Sequence, residues 1–453
     1  MRHKGVLFLI GLMSIGILSA QKKNDECSRN LSIFFQFVKI KSYDEAYEPW
    51  KSTWDDCPEL NKAVYSLGEK ILVNKIEKNE DKEKYIEMLL KVYDDGHKYF
   101  PKEFTLAESI SDKALLLFNE KRIGDEELYN LLHKGFVEDK ENFKNPKSLF
   151  LYFSVSENLY ESKNKELQVV FDVYDDVNDR IEQESKILSK IIDQLLPKEE
   201  SGALTVKEKK SLKRARVNLN SYRLIEKNIN KKLDVLVSCE NLIPLYQKGF
   251  DQKGSDVLWI SRAAKRMEVN GCTKNPLYVK LTKALDELNP SATSKYLLGR
   301  LLDEQGKTTE AIKYYNESIA LETDNYKNAK IAYRIAAKLK NKQPAMARKY
   351  AQKALEYQPS LGVAYLLIAD VYGSAANECG ASSFEKRAIW WRAAEVAKKA
   401  GTVDPSLKSR VSQTVKSYNQ RAPSRQDIFQ SGMAGKTITF KCWVGGSIKV
   451  PDL

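Results

Sequence analysis

Residues 296–323 read YLLGRLLDEQGKTTEAIKYYNESIALET. Two apolar-striped segments of helical period meet at Gly306, a residue suited to a tight turn. In the second segment Ala311, Tyr315 and Ser318 stand at i, i+4 and i+7, and Thr323 follows twelve positions after the first. The same spacing recurs as Ala46, Trp50, Thr53, Pro58 and as Leu89, Tyr93, Gly96, Pro101. It recurs again as Ala347, Ala351, Ala354, Pro359 and as Ala393, Ala397, Ala400, Pro405. One match would arise by chance in any helical protein. Five matches whose third column is always small, and whose last column is proline in four cases, point to a repeat.

Helix packing explains the spacing. Residues at i, i+4 and i+7 share one stripe of an α-helix. Small side chains there let a neighbouring helix come close, and an aromatic fills the remaining gap. The proline lies beyond the helix and prevents its continuation. The pattern resembles the second helix of a tetratricopeptide-repeat (TPR) unit. The first helix agrees in places: Leu298-Gly299 stands twelve residues before Ala311, Leu67-Gly68 serves the second set, and Tyr365, Ile368, Ala369 and Tyr372 give a degenerate version before the fifth. The resemblance covers roughly 27–164 and 239–405, with insertions at 74–83 and 373–383. It implies an all-α, TPR-like helical solenoid with a concave groove lined by first helices, where Tyr296, Arg300 and Asp303 are the candidate partner-binding residues. The Lys/Asn clamp that some TPR proteins use for acidic tails is not evident.

Residues 165–238 break the rhythm. Leu167, Val170, Tyr174, Val177, Ile181, Leu188, Ile191 and Leu195 form a 3-4 stripe, and Pro197 and Gly202 mark a turn. Thr205 with Glu208 makes a capping box. Leu212, Ala215, Leu219, Tyr222, Ile229, Leu233 and Leu236 then repeat the stripe. Two such helices predict an antiparallel coiled-coil hairpin of about 30 residues per arm, able to project roughly 45 Å. Lys207, Lys209, Lys210, Lys213, Arg214 and Arg216 cluster near its tip. They read first as an ordinary solvated helix face, partly offset by Glu199, Glu200 and Glu208, and alternatively as a contact for an anionic surface, either lipid phosphates or an acidic partner face.

The chain opens with Arg2 and Lys4, an apolar run from Gly5 to Leu18, and the small residues Ser19 and Ala20. That order predicts a cleaved signal peptide over 1–20, with an uncleaved anchor as the alternative. Gln21 rather than cysteine follows, which argues against a lipid anchor, and no later segment is apolar enough to cross a membrane. Loss of Arg2 and Lys4 lowers the net charge from +13 to +11. That excess allows acidic partners without pointing to nucleic acid.

An even count of six cysteines in an exported chain predicts disulfides. In the TPR register Cys27 begins the first helix of repeat one and Cys57 ends the second, so antiparallel packing brings them together. Cys239 and Cys272 bracket the segment after the hairpin, which leaves Cys379 with Cys442. Around Cys442, residues 435–450 alternate and contain Gly445-Gly446, the pattern of a small β-hairpin that a Cys379–Cys442 bond would tie to the last repeat as a cap. The expected organisation is therefore a signal peptide (1–20), N-terminal repeats (21–164), the hairpin (165–238), C-terminal repeats (239–405), and a capping helix with the tied β-hairpin (406–453).

No catalytic constellation is legible. His97 and His133 lack metal-ligand partners at helical spacing, and His3 leaves with the signal. Gly306-Lys307-Thr308 and Gly435-Lys436-Thr437 lack the earlier glycine of a phosphate-binding loop. The expectation is no enzyme and no cofactor. The Ala-Gln signal end, the cysteine-stapled repeats and the terminal Cys-Trp pair resemble exported TPR proteins of Bacteroidota-type bacteria. That resemblance implies a periplasmic or outer-membrane-associated scaffold or adaptor for protein partners in an envelope assembly, such as outer-membrane protein biogenesis or secretion machinery. A holding chaperone for unfolded chains is the alternative, and an enzyme with an unreadable site a more distant one.

Overall fold

The computed structural model describes residues 24–79, 81–233 and 236–453. The expected signal peptide lies outside them. The chain divides into two compact units, Met1–Ile181 and Glu182–Leu453.

The first unit is a run of antiparallel helices. Residues 24–39 form α1, followed by α2 (Tyr43–Asp56), α3 (Ala63–Glu77), α4 (Lys82–Tyr99), α5 (Leu106–Asn119), α6 (Asp125–Glu138) and α7 (Pro146–Glu161). From α2 onward each helix packs on the next, and α5 also meets α7, as alternate helices of a repeat stack do. The core is aromatic where the repeat spacing places it. Trp50 is fully buried, stacks on Trp54 and donates from Nε1 to the Val64 carbonyl at 2.7 Å. Cys27 and Cys57 are joined, tying the start of α1 to the end of α2.

Helix α8 (Leu167–Glu200) begins in the first unit and ends in the second. The second unit continues with α9 (Val206–Leu233), α10 (Cys239–Lys253), α11 (Val257–Val269), α12 (Pro276–Leu288), α13 (Ala292–Glu304), α14 (Thr308–Leu321), α15 (Asn325–Leu339), α16 (Pro344–Tyr357), α17 (Gly362–Ser374), α18 (Ser383–Val403), α19 (Lys408–Arg421) and α20 (Arg425–Ser431). Helices α13/α14, α15/α16 and α17/α18 pair as first and second helices, and first helices touch one another in α11/α13 and α15/α17. This is the TPR-like architecture that the repeat predicts.

The repeat columns behave as their chemistry requires. Ala46, Leu89, Ala311, Tyr315, Ala347, Ala351, Ala354, Ala393, Ala397 and Ala400 are all buried, and so are the small third-column residues Thr53, Gly96 and Ser318. Tyr93 is half-buried. Gly299 faces the Tyr315 ring so closely that a Cβ there would lie 2.6 Å from it. Gly306 turns the chain from α13 to α14 at φ +77°. Pro58, Pro101, Pro359 and Pro405 each stand two residues beyond the last residue of α2, α4, α16 and α18, and Thr323 holds the same place after α14.

At the C-terminal end β1 (Thr437–Thr439) pairs antiparallel with β2 (Ser447–Lys449), Ile438 opposite Ile448. Cys379 and Cys442 are joined, and Ile438, Phe440, Val444 and Val450 are buried in the same core as α17 and α18. Trp443 donates to Glu378 at 3.0 Å, and its carbonyl accepts from Arg348 of α16. A lone two-stranded hairpin is marginal in water; here it closes the apolar end of the repeat stack.

The helix pair α8/α9 differs from the expected projecting arm in two respects. Pro197 lies inside α8 and not in the turn, which falls at 201–205 with Gly202 at φ +72°. From Lys186 onward the pair is laid along the second unit. Lys186 pairs with Asp324 at 2.7 Å, Asp193 accepts from the Ser360 backbone N–H at 2.7 Å, and Gln358 donates to Ser189 at 3.4 Å. Arg216 donates to the Thr402 carbonyl at 3.0 Å, and Arg223 to Asp404 at 2.6 Å. Asp324, residues 358–360 and Asp404, with Thr402 at the end of α18, mark three successive turns between a second helix and the next first helix. The pair is thus a strap across the inter-repeat turns. The stripe of apolar residues does not show this, because these contacts are polar. Ser185 and Ser189 are buried beside Leu188 and Ile192, so the last half of α8 buries a wider face than a 3-4 stripe.

Candidate functional site

In the second unit the first helices are α11, α13, α15, α17 and α19; ion pairs link α11, α13 and α15 on one face. Tyr296, Arg300 and Asp303 lie there on α13, and the structure brings them together with three residues that sequence reasoning missed: Glu268 on α11, and Arg334 and Lys338 on α15. Glu268 accepts from Arg300 Nε and, at 2.8 Å, from Arg334 Nη1. Asp303 accepts from Lys338 at 2.9 Å and lies 3.4 Å from Arg300, which also reaches Glu304 at 3.3 Å. Arg334 sits over the Tyr296 ring, 5.3 Å from its centroid.

Electrostatics fix these groups. Burial disfavours the Arg300 charge, but the adjacent Glu268 carboxylate outweighs it and raises the guanidinium pKa. Burial pushes the Tyr296 phenol up, with Glu268 adding to the effect. A signal for the missed residues exists in the sequence. Arg266, Arg300 and Arg334 are spaced by the TPR period of 34 residues, one per first helix. The packing columns alone do not expose this ladder, because they run along α14, α16 and α18 whereas the arginines lie on α11, α13 and α15.

Further along the same face, α15, α17 and α19 line a cleft of about 370 Å³ whose rim carries Tyr333, Lys340, Asn341, Asp370, Arg410 and Tyr418. Lys340 and Asp370 form an ion pair. Burial, then the Asp370 charge, pushes the Tyr418 phenol up to about 12, so it remains a hydrogen-bond donor at neutral pH. The face thus offers charged groups held by intramolecular ion pairs beside aromatic and amide side chains, which suits recognition of a polypeptide.

The first unit carries a different feature on α3, α4 and α5. The Tyr93 hydroxyl donates to Glu69 at 3.3 Å. Burial, with Glu69 next, raises Asp112 to about 7, and burial raises Glu69 as well. The two histidines are engaged within the fold: His97 Nδ1 is 2.9 Å from the Phe104 carbonyl, and His133 Nδ1 is 2.6 Å from the Tyr152 hydroxyl. Among the described residues no group of three or more His, Cys, Asp or Glu is placed to hold a metal ion, and no helix is long and apolar enough to cross a membrane.

The basic stretch of α9 is split by the structure. Arg216 is bound by both oxygens of Glu199, at 2.8 and 2.7 Å. Lys207, Lys209, Lys210, Lys213 and Arg214 are exposed. The remaining cysteine pair, Cys239 and Cys272, is joined as expected and ties α10 to the turn before α12. All six cysteines are therefore in disulfides, the state of an oxidising environment.

No family model matches the chain, and no curated protein matches its sequence. Solved structures give low-scoring similarity over most of the length. The crystal structure of yeast Tom70 is 10% identical, with a TM-score of 0.27, over 90% of this chain and 94% of that one. A human IFIT1 dimer with PPP-AAAA is 13% identical, with a TM-score of 0.25, over 88% and 93%. A structure of Naa15/Naa10 bound to HypK-THB is 11% identical, with a TM-score of 0.19, over 87% of this chain and 66% of that one. The fold assignment rests on the helix pairs and repeat columns described above.

Proposed function

We propose that the chain is a non-catalytic adaptor, exported to the periplasm, that holds a partner protein on the first-helix face of its C-terminal repeats. The assembly it serves belongs to the cell envelope, in outer-membrane protein biogenesis or secretion. The observation that carries this reading is the ordered face itself. Arg300, Arg334, Lys338, Glu268 and Asp303 are held by ion pairs beside the cleft at Tyr333, Arg410 and Tyr418. Side chains already fixed in the free protein lose little rotamer entropy on binding, so more of each contact appears as affinity. Three disulfides support export. The exposed lysines of α9 provide a second, anionic contact at a separate place.

The test is recovery of the tagged, disulfide-bonded chain from gently solubilised envelopes. One protein at fixed stoichiometry is expected, reduced at least tenfold with a Tyr333→Ala/Arg410→Glu variant whose circular dichroism is unchanged. Recovery of many unrelated proteins in small amounts would favour the holding chaperone instead, and recovery unaffected by the variant would remove the face from the account.

A further inference from the structure

The strap and the turn into α19 enclose a cleft of about 580 Å³. Lys209, Lys213, Arg216 and Asn220 line one wall from α9, and Ser406 and Lys408 the other. The spacings i, i+4, i+7 and i+11 put the four α9 residues on one stripe, about 16 Å long. Aliphatic groups from Leu204, Leu212, Val217 and Pro405 complete the lining.

The acidic groups around this cleft are already matched. Glu199 holds Arg216, Asp404 holds Arg223, and Glu208 holds Lys198 at 2.5 Å. Among the described residues Lys209, Lys213 and Lys408 have no carboxylate within ion-pair distance. Three uncompensated, solvent-exposed cations therefore border a partly apolar cleft and give it an attraction for anions that salt screens.

We propose that this cleft binds an extended acidic segment of a partner protein, with carboxylates at alternate positions and small aliphatic residues between them. An extended chain rises about 3.3 Å per residue, so 16 Å holds about five residues. Its same-side residues recur about every 6.6 Å, close to the 6 Å rise of four helical residues that separates Lys209 from Lys213. Carboxylates on one side meet the lysines of the two walls, the other side meets the aliphatic lining, and Asn220 is in place for the backbone. Cations distributed along a channel suit several separated charges better than one compact anion. The channel lacks the aromatic platforms on which single-stranded nucleic acid stacks. The site is separate from the first-helix face, so either can stand without the other.

The experiment uses the full disulfide-bonded chain and a fluorescein-labelled seven-residue peptide of alternating glutamate and valine, read by anisotropy at 50 mM salt. Binding is expected, at least tenfold tighter than for the glutamine counterpart and weakened at least fivefold at 300 mM salt. Lys209→Glu/Lys213→Glu/Lys408→Glu should abolish it while gaining affinity for the alternating lysine and valine peptide, a reversal that a misfolded variant would not show. Equal binding of the glutamate and glutamine peptides, or undiminished binding by the triple variant, overturns the proposal. So does a chain that ignores the peptide but binds phosphatidylglycerol vesicles through these same lysines.

Discussion

Glu268 joins α11 to both α13 and α15, and replacing it by glutamine removes one charge at nearly constant volume. The two arginines it holds differ in exposure. Arg300 has 12% of its side chain exposed, whereas Arg334 has 39%. A charge-assisted bond inside the fold is worth about 1.5–3 kcal/mol, and a partly exposed ion pair about 0.2–1 kcal/mol. Arg300 keeps weaker bonds to Asp303 and Glu304, at 3.4 and 3.3 Å, which offset part of the loss. The expected cost of Glu268→Gln is therefore about 2 kcal/mol, most of it through Arg300. Amide hydrogen exchange measured by mass spectrometry reads this locally, so the two units need not unfold together. Under conditions where exchange follows the opening equilibrium, α13 amides should exchange about 30-fold faster, since 1.36 kcal/mol is a factor of ten. In double-mutant cycles the coupling of Glu268→Gln with Arg300→Gln should be about 2 kcal/mol, and with Arg334→Gln below about 1 kcal/mol. An α13 unaffected by Glu268→Gln, or a coupling to Arg334 as large as that to Arg300, refutes the reasoning.

Three further predictions follow from other parts of the molecule. Gly299→Ala drives a Cβ into the Tyr315 ring; overpacking of about 1–3 kcal/mol against about 1 kcal/mol of recovered helix propensity leaves a net loss, relieved by Tyr315→Leu, and urea unfolding checks it. Asp112 has a folded pKa of about 7, above its ordinary value of 3.8, so the folded state binds more protons between those limits and its stability falls as pH rises through them. The full shift corresponds to about 4 kcal/mol; allowing for its partial exposure, Asp112→Asn should stabilise the first unit by about 2 kcal/mol at pH 8 and have little effect at pH 3, read from thermal unfolding. Cys379→Ser/Cys442→Ser opens a link between residues 63 apart in sequence, worth up to about 4 kcal/mol in the loop-entropy account, and should release the terminal hairpin to limited proteolysis after Arg421 or Arg425 while the earlier repeats stay protected.

The repeat columns were legible because packing imposes them directly: a second helix cannot approach a first unless Ala351 or Ala397 is small, nor continue past Pro359 or Pro405. The Cys27–Cys57 pairing followed from the same register, Cys239–Cys272 from their places around the segment after the hairpin, and Cys379–Cys442 by elimination. The strap was legible as two long helices but not in its placement, since its attachment depends on Asp193, Arg216 and Arg223 reaching backbone and carboxylate groups in turns far away in sequence. Single polar residues on a helix carry no periodic signal. At the candidate face Tyr296, Arg300 and Asp303 were found by their place in the clearest repeat. Glu268 was missed because α11 and α12 fit the packing signature poorly, and Arg334 because it lies on α15, outside the columns of α14 and α16.

The adaptor account is tested most directly by site-specific photo-crosslinking in cells, with the reactive residue placed in turn at Tyr333 and Asn341 on the first-helix face and at the exposed Gln352 of α16. The account predicts one crosslinked protein, the same from both face positions and absent from Gln352. Crosslinks equally strong at Gln352, or none at Tyr333 and Asn341 while a partner still co-purifies, would contradict it.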